Sequence, residues 1–259
     1  MTIFLIAEVT AVSLLINYIS GTDLWVTAFI ITISSLIYTL YGGLRASIFT
    51  DNIQFIILIL LLIISFNFLI NFNLSHFNFN FIKETKPHLL SFDYLPNFTA
   101  GLTFFIAVAA TNLFHQGNWQ RVYAAKNKKV LTKSLIISFI IIIPIVFFMG
   151  FSGLVAISAG QVSNPDLAFF QLLLKDQFLT ISIIIIFLAV SLTISSIDTI
   201  INAISSLIIV DGNKIIKSNN YDLLSKQIII LLSLISLFVA SKGFSILYLF
   251  LLADLFCCA

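Results

Sequence analysis

Eight apolar runs, most of them close to the length of a membrane-spanning helix, constrain what this chain can fold into. They cover residues 2–19, 24–41, 47–72, 98–114, 134–159, 179–210, 228–240 and 244 to the C-terminus. A hydrocarbon core of ~30 Å takes about 20 helical residues, and backbone polar groups inside lipid must be bonded within the protein. With 60% hydrophobic and only 9% charged residues, the chain is too apolar for a water-exposed globule. The pattern predicts an all-α polytopic membrane protein that forms a single transmembrane domain over residues 1–259.

The distribution of Lys and Arg between the connections predicts how the chain is oriented. If all eight runs span the membrane, nine of the 13 basic residues fall on one side of it. That side is expected to be cytoplasmic, because cytoplasmic loops carry the excess of Lys and Arg. The net charge of +2 does not indicate a nucleic-acid partner. We therefore expect a multi-pass protein of a bacterial inner membrane, with the lipid bilayer as its surroundings.

The two longest connections on the opposite side are predicted to differ in structure. Residues 73–97 are rich in Asn and Phe and are expected to be irregular. Within residues 160–178, the segment PDLAFFQLLLKD begins with an Asn-Pro-Asp helix-start signal, is amphipathic and is too short to span. It predicts an interfacial helix over the outer mouth of the protein. In the run 134–159, Pro144 predicts an ordinary proline kink.

Four acidic residues lie inside the apolar runs: Glu8, Asp51, Asp198 and Asp254. An acid at the centre of a membrane helix costs roughly 2.5 to 3.5 kcal/mol, so the deep ones must face protein or water. Asp198 lies about 18 Å from the end of its run, which places it near the membrane midplane. A structural contact between helices explains Asp198 as well as a functional role does. Asp51 is also explained as an acid near the N-terminus of its helix.

A polar stripe in the run 179–210 predicts an ion-binding helix. Ser195, Thr199, Asn202 and Ser206 recur at helical spacing and therefore share one face. Hydroxyl and carbonyl oxygens are ligands that hard cations prefer, whereas the same face would be unfavourable against lipid. Polar contacts between neighbouring helices are the alternative explanation.

Three stretches resemble signature segments of the sodium:solute symporter family, which includes sodium-coupled sugar, proline and urea transporters. YGGLRASIFTDNIQ, residues 41–54, resembles the family's GGL-x-A-x-x-x-TD-x-x-Q signature. WQRVYAAKN, residues 119–127, resembles its QR-x-x-AAK segment, and SSIDTIINAISS, residues 195–206, resembles its S-[ST]-x-D-[ST] helix. The three segments occur in the family's order and together span most of the chain, which makes the resemblance specific.

The resemblance implies a fold. Members have the leucine-transporter-like fold of two inverted five-helix repeats, in which discontinuous helices hold substrate and sodium near the midplane. The eight runs then correspond to core helices 3 to 10, and core helices 1 and 2 are lacking. The chain is therefore expected to be a fragment whose partner is the missing N-terminal part of the same transporter.

The resemblance also implies the ligands of a sodium ion. On the helix that corresponds to core helix 8, these are the backbone carbonyl of Leu192 and the side chains of Ser195 and Ser196. Asp51, from the TD signature, is similar to an acid that some members use with the second serine, here Ser196, for a further cation. A buried hydrogen bond between Asp51 and Ser196 is an equally supported alternative.

The substrate side is implied at the end of the fourth run, TNLFHQGNWQR, where the family's sixth core helix breaks. Asn112, Phe114 and His115 are the candidates, although a lone histidine is also typical of a polar residue at the membrane interface. The basic run 121–133 is interpreted as a positive-inside anchor.

These features together predict sodium-coupled symport of a small polar solute by alternating access. Sodium is the coupling ion, and no other cofactor, no enzymatic activity and no nucleic-acid partner is expected. Coupling to protons through Asp51 or Asp198 is one alternative. Another is a polytopic membrane enzyme with Asp198 and His115 as acid and base on a lipid-linked substrate. The sequence has no zinc-ligand cluster and no nucleophile elbow to support it.

Overall fold

Helices make up all the regular structure in the part of the chain that the computed structural model describes, residues 1–73, 78–91, 93–160, 162–174, 179–215 and 220–258. They are α1 Thr2–Ser20, α2 Leu24–Asn73, α3 Phe79–Thr85, α4 Leu95–Phe114, α5 Gln116–Ala124, α6 Lys128–Ser158, α7 Ala168–Leu173, α8 Leu179–Val210, α9 Gly212–Ile215, α10 Tyr221–Ala240 and α11 Ile246–Cys258. Two 3₁₀ turns, Pro87–Leu90 and Pro165–Leu167, precede α4 and α7. The predicted all-α class is confirmed.

Seven helical segments of the described residues are long and apolar enough to cross a membrane. They are Thr2–Ser20, Leu24–Tyr41, Gly43–Ile64, Leu95–Phe114, Lys128–Ser158, Leu179–Val210 and Tyr221–Ala240. They follow the first seven predicted runs in order. The last run forms α11, which is apolar but only 13 residues long, so an eighth span stays a prediction.

A glycine at a kink within α2 separates the second span from the third. Gly43 has φ +58° and ψ −165°, which is not a helical conformation. A residue with a Cβ atom rarely adopts such a positive φ, whereas glycine does so at little cost. The glycine of the GGL segment therefore lets the chain change direction between Leu24–Tyr41 and Gly43–Ile64.

The core lies where α1, α2, α8 and α10 pack against one another. Val9, Ala28, Ile197 and Ile229 are among the buried side chains of this cluster. α1 also contacts α11, and α11 contacts α4. Polar residues enter the core because their hydroxyls bond back to the helix; that of Thr10, for example, donates to the carbonyl of Ile6 at 2.7 Å. α1 thus lies at the centre of the described helices.

Three spans have little contact with this core. None of the spanning window of Lys128–Ser158 is buried, and only 6% of the windows of Gly43–Ile64 and Leu95–Phe114 is buried. Their exposed side chains are mostly Ile, Leu and Phe. A soluble protein rarely exposes apolar patches of this extent, whereas a surface that faces lipid or other membrane helices is made of such side chains.

One of the two predictions about the long connections is wrong. Residues 73–97 are not irregular, because they contain α3, which Asn78 caps by accepting a hydrogen bond from the Phe81 N–H at 3.1 Å; residues 74–77 and 92 lie outside the described residues. The predicted helix after Pro165 forms as α7, and its position at the membrane interface stays a prediction. It is buried against α6 and α2, and Leu172 is fully enclosed. α6 itself runs through Pro144 as one helix.

Candidate functional site

Five helices surround a cavity of about 440 Å³ at one side of the core. Its walls come from α1, α4, α5, α8 and α11. The polar lining residues are Glu8, Thr111, Asn112, His115, Asn118, Arg121, Ser195, Ser196, Thr199 and Asp254. The apolar lining residues are Phe4, Phe104, Val108, Ile200 and Phe250. The volume lies in the range of sites for small molecules, which are typically apolar clefts with a few placed polar groups.

The break between α4 and α5 forms one wall of this cavity. His115 has extended backbone angles, φ −74° and ψ 109°, and separates the two helices. The carbonyls at the end of α4 have no partner within their own helix. The side chain of Asn118 donates to the Asn112 carbonyl at 3.2 Å, and the Trp119 indole donates to the Leu113 carbonyl at 2.6 Å. The side chains of residues after the break therefore satisfy the terminal carbonyls of α4 and stabilise the interruption beside the cavity.

A polar network joins α2, α5 and α8 next to the cavity. The Asp51 carboxylate accepts one hydrogen bond from the Arg121 guanidinium at 2.6 Å and another from the Ser195 hydroxyl at 2.6 Å. Arg121 also donates to the Thr199 hydroxyl at 2.7 Å. The opposite charges of Asp51 and Arg121 compensate each other at the point where the three helices meet. This ion pair therefore adds no net charge to the site.

The carboxylate of Asp198 accepts a hydrogen bond at 3.3 Å from the hydroxyl of Thr199, which lines the cavity, but Asp198 itself does not line it. Its side chain is fully buried, and its Oδ1 accepts a hydrogen bond from the Ser47 hydroxyl at 3.0 Å. Asn202, four residues later, is also buried and accepts a hydrogen bond at its backbone carbonyl from the Gln120 side chain at 3.2 Å. Both residues thus connect α8 to a neighbouring helix. The structural explanation of Asp198 fits these contacts.

A family model for the sodium:solute symporter family matches residues 1–251. The chain belongs to the sodium:solute symporter family. It is also similar to a protein of Candida albicans named spermidine transporter DUR31, with 26% identity over 260 residues. The match covers 98% of this chain and 48% of the relative, so the chain spans about half the length of that protein. No solved structure matches the chain.

Membership of a family of transporters decides between solute transport and the alternative of a membrane enzyme. The chain is an integral, multi-pass membrane protein of a solute-transport family, so the prediction that it is not an enzyme is confirmed. The alternative of a membrane enzyme with Asp198 and His115 as acid and base is wrong. These two side chains also differ in place, since His115 lines the cavity and Asp198 bonds to Ser47.

The structure brings two of the three predicted sodium ligands to the cavity. Ser195 and Ser196 both line it. Leu192 is one turn earlier on the same helix, and its side chain is 41% exposed on the outside of the protein. The serine that bonds Asp51 is Ser195, whereas Ser196 interacts with the side chain of Glu8. The predicted pair of Asp51 and Ser196 is therefore replaced in this structure by two separate contacts.

Of the three substrate-side candidates, two line the cavity and one does not. Asn112 and His115 line the cavity. The Asn112 amide oxygen accepts a hydrogen bond from Asn118 at 2.9 Å, and the His115 ring meets the Phe4 ring edge to face at 6.0 Å. Phe114 is 68% exposed and is not among the residues that line the cavity.

Three charged residues of the site were not among the predicted site residues. Glu8 and Asp254 carried a signal, since both are acids inside apolar runs, but nothing in the sequence indicates that they meet at one cavity. Asp254 is buried and accepts a hydrogen bond from the Thr111 hydroxyl at 2.8 Å. Arg121 was interpreted only as part of a positive-inside anchor, but its guanidinium also binds Asp51 and Thr199.

Proposed function

We propose that this chain forms the solute-binding part of a sodium-coupled symporter with the leucine-transporter-like fold. The observation that carries the proposal is the cavity itself. It lies where the serines of α8 that the family resemblance assigns to sodium meet the break between α4 and α5. A helix break beside an ion-binding helix is the arrangement that transporters of this kind use to hold ion and solute together.

Sodium in this proposal binds at the turn of α8 that contains Leu192, Ser195 and Ser196. Hydroxyl and backbone carbonyl oxygens suit a hard cation. Asp51 orients the Ser195 hydroxyl through their hydrogen bond of 2.6 Å. In this proposal the remaining sodium ligands come from a helix equivalent to core helix 1 of the family.

Transport then follows from the shared preference of ion and solute for one conformation. Sodium stabilises an outward-open state, solute binds in the cavity, and rocking of α4 and α6 against the other helices opens the cytoplasmic side. A coupling free energy of order 1 to 3 kcal/mol is enough for such a mechanism. The sparse contacts of α4 and α6 with the core fit elements that move.

A second cation at Asp51 and Ser196 is compatible with this scheme only after a rearrangement. Arg121 and Ser195 now occupy the two carboxylate oxygens of Asp51. A cation at this carboxylate therefore requires Arg121 to move away. The same condition applies to proton coupling through Asp51, because both of its carboxylate oxygens already accept hydrogen bonds.

The solute is proposed to be small and polar, since the cavity of about 440 Å³ combines aromatic walls with hydroxyl, amide and carboxylate groups. Spermidine is the first solute to test, because the relative from Candida albicans is named a spermidine transporter. The proposed location is a plasma membrane. The bacterial inner membrane expected from the sequence is part of this proposal, and the named relative is fungal.

Ser195→Ala tests the sodium site. In proteoliposomes that contain the transporter, the sodium concentration for half-maximal spermidine uptake should rise about tenfold, because one hydroxyl ligand is lost. Ser206→Ala is the matched control on the same helix, since the Ser206 hydroxyl bonds the Ala203 carbonyl at 2.9 Å away from the cavity. An unchanged sodium dependence in Ser195→Ala would contradict the assignment. Uptake driven by a proton gradient but not by a sodium gradient would favour the proton-coupled alternative.

A further inference from the structure

We propose that Glu8 and Asp254 are specificity-determining residues that make the cavity select linear organic amines by binding their ammonium groups. The inference rests on the proposed transport function and adds the charge class of the solute and the two residues that recognise it. Both carboxylates line the cavity, Glu8 from α1 and Asp254 from α11.

The charges around the cavity leave these two carboxylates without a cationic partner. The charged residues that line it are Glu8, Asp254 and Arg121. Arg121 is paired with Asp51 at 2.6 Å, and the other ion pairs among the described residues are surface pairs on α9 and α10. The contacts of Glu8 and Asp254 are with neutral hydroxyls, those of Ser196 and Thr111. Two acids inside apolar helices are unfavourable unless a cation compensates them.

The same two helices also supply the aromatic part of the site. Phe4 precedes Glu8 by four residues on α1, and Phe250 precedes Asp254 by four residues on α11. Residues four apart lie on the same face of a helix, so each acid has a phenyl ring one turn away. α1 and α11 are in contact, and the Phe4 and Phe250 rings are 5.8 Å apart. The cavity therefore carries two matched pairs of a ring and a carboxylate.

A ring beside a carboxylate suits an alkylammonium group better than it suits other solutes. The carboxylate accepts charge-assisted hydrogen bonds from the ammonium, and the ring packs on the methylene groups and attracts the cation to its face. A carboxylate solute would be repelled by both acids, and a neutral solute would leave them uncompensated. Sodium prefers oxygen ligands, which the phenyl rings do not supply. The presence of two such pairs favours a diamine or polyamine.

The first experiment needs no variant. The uptake of radiolabelled putrescine into proteoliposomes that contain the transporter is measured under a sodium gradient. Three competitors are added in separate assays: spermidine, urea, and the neutral diol analogue of putrescine. Spermidine should inhibit strongly, whereas the diol and urea should not. If sodium-driven urea uptake occurs and amines neither enter nor compete, the inference is overturned while the proposed transport function stands. If no solute of any kind is driven by sodium, the proposed function itself fails.

The second experiment assigns the residues. Glu8→Gln and Asp254→Asn keep the shape of each side chain and should each raise the KM for putrescine about tenfold or more, since each removes one charge-assisted hydrogen bond. The sodium concentration for half-maximal uptake should stay unchanged in Asp254→Asn, because the Asp254 carboxylate bonds Thr111, which is not a proposed sodium ligand. Asp222→Asn is the control, because Asp222 pairs with Lys226 on the exposed surface.

Three outcomes of this second experiment decide whether Glu8 and Asp254 bind the ammonium groups of the solute. A rise in the sodium requirement without a rise in the KM for putrescine would make the carboxylates ion ligands and overturn the inference. A fall in maximal rate with an unchanged KM would do the same, since it indicates a structural role. Asp254→Glu and Glu8→Asp keep the charge, and recovery of the KM in these variants supports the assignment even where a neutral variant folds poorly.

Discussion

At the scale of single residues, the ion pair of Asp51 and Arg121 sets the electrostatics beside the proposed sodium site. Asp51 bonds Ser195 through one oxygen and Arg121 through the other. The two side chains are only partly buried, at 23% and 35% exposure. A planar guanidinium reaches Asp51 and Thr199 together, which lysine does not do in the same geometry. The pair therefore holds the serine in place without adding net charge.

Asp51→Asn tests this role. It leaves the guanidinium uncompensated near Ser195, so the sodium concentration for half-maximal uptake should rise several-fold, because a positive charge repels the ion. The double variant Asp51→Asn with Arg121→Gln restores neutrality and should recover part of the loss, as a double-mutant cycle measures. Asp211→Asn is the control, since Asp211 pairs with Lys214 on the surface. Identical sodium dependence in all of these variants would show that the pair is electrostatically irrelevant to the ion.

At the scale of elements, the close approach of α5 to α8 positions the network. Gly117 lies in the first turn of α5, where an added Cβ atom would be 2.8 Å from the Thr199 methyl group and 3.0 Å from the His115 ring. A residue with a Cβ atom at this position requires the Thr199 and His115 side chains, or the helices that carry them, to shift. The distance between α5 and α8 is what allows Arg121 to reach Asp51 and Gln120 to reach the Asn202 carbonyl.

Gly117→Ala should therefore destabilise the protein and weaken uptake. Overpacking of this kind costs about 1–3 kcal/mol, and the displaced α5 carries Arg121 away from its partners. The thermal stability of the protein in detergent and the sodium requirement for uptake are the measurements. Gly150→Ala in α6 is the matched control, because an added Cβ there meets nothing within 4 Å. Equal stability of the two variants would contradict the close packing of α5 on α8.

At the scale of the whole molecule, the described helices divide into a packed group and an exposed one. α1, α2, α8 and α10 form the core, whereas α4, α6 and the second half of α2 expose apolar side chains over most of their spans. Inside a bilayer, those surfaces face lipid or other membrane helices. The chain matches 48% of the length of its fungal relative.

The positive-inside rule makes a prediction for the whole molecule that labelling can test. Lys214 is expected on the cytoplasmic side, and Lys83 on the opposite side. Both side chains are exposed. In a background with Cys257 and Cys258 replaced by serine, an impermeant maleimide added to intact cells should label Lys83→Cys but not Lys214→Cys. The reverse pattern would invert the predicted topology, and labelling of both would contradict the number of spans between them.

Much of the architecture was predictable because it depends on local sequence. The apolar runs gave the first seven spans, and the GGL, QR and S-[ST]-x-D segments gave the family. Which polar groups meet was not predictable. Asp51 was expected at Ser196 and bonds Ser195, and Arg121 was expected at the membrane surface and enters the site. Such pairings depend on the rotation of one helix against another by a fraction of a turn, which no single-helix pattern specifies.

By itself the sequence determined that this chain is an all-α membrane protein of the sodium:solute symporter family. Length and hydrophobicity decide whether a segment spans, and both are properties of the segment alone. Only the tertiary structure decided that Glu8 and Asp254 share a cavity, that the Phe4 and Phe250 rings meet between α1 and α11, and that Asp198 does not line the cavity. These residues are far apart in the chain, and packing between helices is what brings their charges to one place.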